Sequence, residues 1–129
     1  MKKILVKLAV LAFSTAAFSQ ELSAKKIADN AIKKESPQEA AQYVAAEAEK
    51  ITLPAEKRAA YAFLGSLQEA TADFDAAQKS FAKAAGIAAG NAEGMPKKSS
   101  ERLVIDAIRC ALSGGDWETA ENYLNSAVR

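Results

Sequence analysis

Ala77, Phe81 and Ala84 stand four and three residues apart, and the same spacing returns 43 residues later as Ala120, Leu124 and Ala127. Residues three and four apart share one face of an α-helix, so each set marks a helix whose contact face is small residues around one large one. Small side chains let neighbouring helices approach closely. A pattern that recurs at a fixed distance also requires the same unit to be built more than once. A β-rich fold is excluded by the same reading, because strand-like alternation of β-branched residues is absent beyond the N-terminal segment. Alanine, at 30 of 129 positions, favours helix over sheet.

Breakers divide the remaining chain into helices. A first helix is predicted from about Leu22 to Lys34. Ser36-Pro37-Gln38-Glu39 then reads as a capping box with proline in the first turn, which starts a second helix at Pro37. Thr52-Leu53-Pro54 ends that helix and opens a third, continuing to about Ala70. Asp73 caps a fourth, expected to reach about Ala89. Gly90 to Pro96 is the longest breaker-rich stretch, and a fifth helix is predicted to begin near Lys97 or Ser100 and to end at Gly114-Gly115. Asp116 caps a sixth, with Glu118 and Glu121 in or near its first turn, where carboxylates suit the helix dipole. Six helices joined by short turns make three antiparallel pairs.

Within the middle pair, Tyr61-x-x-Leu64-Gly65 precedes Ala77-x-x-x-Phe81-x-x-Ala84, with Asp73-Phe74 at the turn. This resembles the tetratricopeptide (TPR) repeat, whose pattern has an aromatic, Leu-Gly, then Ala and an aromatic four later. In the last pair Gly115-Asp116-Trp117 occupies the equivalent turn, and Val104, Ala107, Ile108 and Ala111 repeat the first-helix face. The first pair is degenerate, with Ala41, Ala45 and Ala48 at the key positions. Gln68 in place of an aromatic, Ala89 near the usual proline and Ala107-Ile108 for Leu-Gly are departures from the family pattern. The resemblance implies an all-α fold, a short right-handed α-solenoid of helix-turn-helix repeats over about 22–57, 58–91 and 101–129. An Ala-rich helical bundle is the alternative.

The repeat arithmetic closes. Ala41 to Ala77 is 36 residues and Ala77 to Ala120 is 43, against a family unit of about 34. The extra nine fall between Gly90 and Ser99, where they are expected to extend a loop and spare both helix faces.

The first residues read as an address. Lys2 and Lys3 give a positive start, Ile4 to Phe18 an apolar run interrupted by Lys7, and Ala17-Phe18-Ser19 small residues before a cut. Residues 1–19 are therefore expected to be a cleavable signal peptide, and 20–129 a single helical domain. The uninterrupted run Leu8 to Phe18 is shorter than the roughly 20 residues a spanning helix needs, so no stable membrane span is expected. No cysteine lies beside the predicted cut, which excludes a lipid-anchored signal and points to a periplasmic or secreted protein.

Charge and inventory then remove function classes. The whole chain carries 17 basic and 16 acidic side chains; removing Lys2, Lys3 and Lys7 leaves 14 against 16. Nucleic-acid binding needs a basic patch or domain and is not expected. With no His and a single Cys, the usual zinc sites, a His-based triad and an intrachain disulfide are all excluded. No catalytic residue, metal site or cofactor is assigned, and the chain is read as non-enzymatic. Cys110, on an apolar helical segment, is read as a small semi-buried thiol, with an intermolecular disulfide as the alternative.

What remains is a surface for recognition. In arrays of the resembled kind the first helices of successive pairs line a concave face where partners bind. Lys26, Asn30, Lys33 and Lys34 would face it from the first pair, Ala62, Ser66 and Glu69 from the second, and Arg102, Ile105, Asp106 and Arg109 from the third. Lys26 with Asn30 resembles the start of the clamp by which one TPR class holds a terminal carboxylate, and Arg102 a later part. Phe63 and Asp106 break that match. A looser basic groove for acidic or extended segments, using Lys26, Lys33, Arg102 and Arg109, is the expected alternative. The expected partner is a protein or peptide held by a non-catalytic scaffold or adaptor. The competing expectation is a structural, self-associating helical protein, because Trp117, Leu124 and Val128 share one apolar face of the last helix with no later helix to cover it.

Overall fold

The computed structural model describes residues 22–127, all of whose regular elements are helices. The predicted signal peptide and Val128 lie outside the described residues. In chain order the helices are α1 (Ala24–Ala31), α2 (Pro37–Lys50), α3 (Pro54–Ala70), α4 (Phe74–Ala85), α5 (Ser100–Ser113) and α6 (Trp117–Ala127). The protein is all-α, and among the described residues no helix is long and apolar enough to cross a membrane.

Local chemistry explains most starts. Ser23, Ser36 and Ser99 each accept, through Oγ, the backbone N–H three residues on, and Asp73 and Asp116 do the same through a carboxylate. Pro37 and Pro54 open their helices, where a missing N–H costs nothing. Two ends differ from the sequence expectation. α1 stops at Ala31 with Ile32 as its cap, because the amides after Ile32 bond only three residues back, Lys33 to Asn30 and Lys34 to Ala31, and the chain must reach the extended conformation of Ser36 before Pro37. α4 stops at Ala85 with Gly86 as its cap: the Ile87 amide bonds only three residues back, to Ala84, and the Ala84 and Ile87 carbonyls both accept from Arg58 of α3.

Packing follows the chain. Substantial contacts join α1 to α2, α2 to α3, α3 to α4, α4 to α5 and α5 to α6, with α1 also against α3. The core between them is Ile27, Val44, Tyr61, Leu64, Phe81 and Leu103, with buried alanines filling the closer approaches. The tightest approach is at Gly65, where a Cβ would lie 2.9 Å from the Phe81 ring; only hydrogen at that position lets the ring seat against α3. Gln68 accepts a hydrogen bond from the buried Ser80 hydroxyl and so ties α3 to α4 by polarity rather than by ring packing.

The connection from Gly86 to Ser99 does not spare the helix faces. It folds back across α3: a Cβ on Gly90 would meet Ala55 at 2.8 Å, one on Gly94 would meet the Lys25 stem of α1 at 3.1 Å, and Met95 packs on the core. Arg58 holds both ends of this strap. The residue is buried, 6% exposed, and its guanidinium donates to the carbonyls of Ile87 at 2.6 Å and Lys98 at 2.9 Å and to the Ser100 hydroxyl at 3.2 Å.

Candidate binding groove

The sequence-derived groove residues fall into two groups. Lys26 and Ser66 are exposed on α1 and α3, and Ser66 donates to the Ala62 carbonyl one turn back. Asn30 is half-buried and donates to the Tyr43 hydroxyl on α2, so its amide positions the first hairpin. Lys33 is exposed but lies beyond the end of α1, in the turn, because that helix closes two residues earlier. It does not share a helical face with Lys26 and Asn30.

The α5 residues form a charge network. The Asp106 side chain is 1% exposed, so it does not face a groove as its position on the helix had implied. One carboxylate oxygen accepts from Arg109 at 2.6 Å with the Arg102 Nε at 3.4 Å, and the other accepts from Lys98 of the strap at 3.1 Å. Arg109 also forks onto Glu69 of α3, with Nε and Nη2 at 2.8 and 2.7 Å from the two oxygens. This bidentate pair bridges α3 and α5.

Protonation follows from these contacts. Burial pushes the Asp106 carboxyl up, but the hydrogen bonds from Arg109 and Lys98 outweigh it and hold the group below the ordinary carboxylate range. The Arg109 fork lowers Glu69, and Glu69 in turn raises Arg109. Burial, reinforced by the Glu69 charge, pushes the Cys110 thiol up to about 11. The thiol is inaccessible and protonated at neutral pH, the setting of an inert packing residue.

The groove is thus less basic than the sequence suggested. Arg109 is committed to Glu69 and Asp106, while Lys26, Lys33 and Arg102 remain outward. The local sequence carried a signal for this: Asp106 lies four after Arg102 and three before Arg109, the spacings at which helical ion pairs meet. Sequence reasoning did not single out Arg58, since acceptors that are backbone carbonyls leave no mark in a sequence, and it read the Lys97-Lys98 pair as a solvated loop, whereas Lys98 pairs with Asp106. On α6, Trp117 is 69% and Leu124 52% exposed, whereas Ala120 is buried against α5. No family model, no curated protein and no solved structure matches the chain.

Proposed function

We propose that the chain is an exported, non-catalytic protein-interaction module of TPR type, a short right-handed solenoid that holds a partner protein or peptide along the face made by α1, α3 and α5. The observation that carries this reading is the packing order. Each helix packs substantially only on its neighbours in the chain, apart from α1 on α3, as in an open array of hairpins; a closed bundle would bring distant helices together. The repeated hairpin turns, 43 residues apart, support it further. The residues available to a partner are the outward cations Lys26, Lys33 and Arg102 with Ser66, which suits an acidic or extended segment.

The test is a pull-down from an exported-protein extract with the wild type and with Lys26→Glu combined with Lys33→Glu, two exposed positions outside the ion-pair network of Asp106. Loss of the bound set at low salt, with the helical circular dichroism unchanged, supports the groove; electrostatic recognition at a surface weakens with salt. An unchanged bound set rejects this face as the binding surface.

The self-association reading is favoured by one specific observation, the exposure of Trp117 and Leu124 on α6. Light scattering across a concentration series separates the two. A dimer that Leu124→Glu dissociates supports self-association, and a monomer at all concentrations removes it.

A further inference from the structure

The strap does not lie flush on α3. Between them is an open-sided cavity of about 570 Å³, within the range of sites that hold small molecules. Its walls are Ala55, Ala59 and Ala62 of α3, Leu103 of α5 and Ala89 and Pro96 of the strap. The run of alanines leaves the space open, since a Leu at Ala59 or Ala62 would fill much of it.

The charges around this cavity are all of one sign. Arg58, Lys97 and Lys98 line it and no carboxylate does. Lys98 is neutralised by Asp106, but Arg58 is not neutralised: its acceptors are carbonyls and a hydroxyl, and it forms no ion pair among the described residues. A buried cation without a counter-charge is expensive, and the low dielectric that makes it so also strengthens its attraction for an anion placed nearby. Lys97, exposed at the mouth and likewise without an ion pair among the described residues, adds a second positive group where the cavity opens.

We propose that this cavity is a binding site for a small amphipathic monoanion, a carboxylate on a short apolar body. The body lies along the alanine wall of α3, and the carboxylate sits between Lys97 and the field of Arg58. A multiply charged ligand such as inorganic phosphate fits worse, because the Arg58 fork is already spent on carbonyls and the walls offer an apolar body its only counterpart. The inference does not depend on the groove reading: it concerns the space beneath the strap, and it holds or fails whether or not a protein partner is found.

The probe is octanoate, titrated into the ¹⁵N-labelled full chain and followed through the amide resonances of Ala59, Gly90 and Ala92, with octanol and inorganic phosphate as parallel titrants. Saturable octanoate shifts at these residues are expected, with octanol about tenfold weaker because it lacks the charge, and phosphate without effect. Lys97→Glu, at an exposed position, should weaken octanoate several-fold, and Ala59→Leu should abolish binding by filling the cavity while the circular dichroism stays unchanged. If Ala59→Leu does not fold, Lys97→Glu decides. Absence of saturable shifts, equal binding of octanol, or an octanoate affinity that Lys97→Glu leaves unchanged would overturn the proposal.

Discussion

Ala72 and Gly115, 43 residues apart, occupy the same left-handed backbone conformation, with φ of 60° and 78°. The hydrogen bonds around them also correspond. Asp73 N–H reaches the Gln68 carbonyl and Ala72 N–H that of Glu69; Asp116 reaches Ala111 and Gly115 reaches Leu112. Both are the six-to-one and five-to-two bonds that close a helix in a Schellman motif. Two hairpins therefore turn by one mechanism, but only one has the residue that mechanism favours.

Glycine adopts this conformation without the Cβ clash that an L-residue pays. Ala72→Gly should accordingly stabilise the protein, by up to about 1 kcal/mol, since the Ala72 methyl is exposed and no packing is lost. Gly115→Ala should destabilise it by about 1 kcal/mol. Urea denaturation of the two variants checks both signs; a destabilised Ala72→Gly would show that the turn is not left-handed.

The Gly65 and Phe81 contact supplies a second pair of variants. Phe81→Ala should cost about 3 to 5 kcal/mol from lost burial and the cavity left behind. Gly65→Ala forces a methyl to 2.9 Å from the ring, and overpacking of that kind costs about 1 to 3 kcal/mol. The two should be non-additive, because removing the ring also removes the clash. At the corresponding positions of the last hairpin stand Ile108 and Leu124, and Leu124 is half-exposed where Phe81 is buried.

Arg58 connects α3 to a segment 29 to 42 residues away. Arg58→Met would leave the Ile87 and Lys98 carbonyls without their donor and should destabilise by roughly 2 to 3 kcal/mol. Hydrogen exchange should rise first in the 86–99 strap, and Arg58→Lys should not restore protection, since one ammonium cannot span the same acceptors. Uniform exchange across the whole chain would contradict the strap's dependence on this side chain.

Cys110 should resist alkylation in the native protein and react fully in denaturant, because the thiol is buried and its pKa lies at about 11. Rapid native labelling would show that α5 opens readily.

The helix starts were legible in the sequence because each is written in one short stretch, Ser36-Pro37 or Ser99 or Asp116, and needs no distant partner. The Ala77, Phe81 and Ala84 face was legible for the same reason, and all three are buried. What escaped depends on long-range geometry. The strap reads as polar loop until Arg58, more than 25 residues earlier, is known to hold its carbonyls. Asp106 reads as a solvated helical carboxylate, and is fully buried only because Lys98 arrives from that strap and Arg109 is steadied by Glu69. The early end of α4 has the same origin, a tertiary contact overriding the helix propensity of Ala88 and Ala89.

The Asp106 network gives the pH dependence. Its carboxyl is held below the ordinary carboxylate value in the folded chain, against about 3.9 when unfolded. The folded state therefore binds fewer protons than the unfolded state in that range, so this contribution to stability is complete above about pH 4 and is lost as pH falls through the lower, folded value. Asp106→Asn should remove it, lowering stability at pH 7 by roughly 1 to 3 kcal/mol, since Arg109 and Lys98 lose a charged acceptor but are exposed enough to regain water. The variant should also show a flatter stability profile between about pH 5 and pH 2 than the wild type. Glu69, lowered in the same direction by Arg109, should leave a smaller residual slope that Asp106→Asn combined with Glu69→Gln reduces further. Thermal melts over this range decide the matter: an Asp106→Asn curve parallel to the wild type would mean that the buried carboxylate is not the group coupling acidity to the fold.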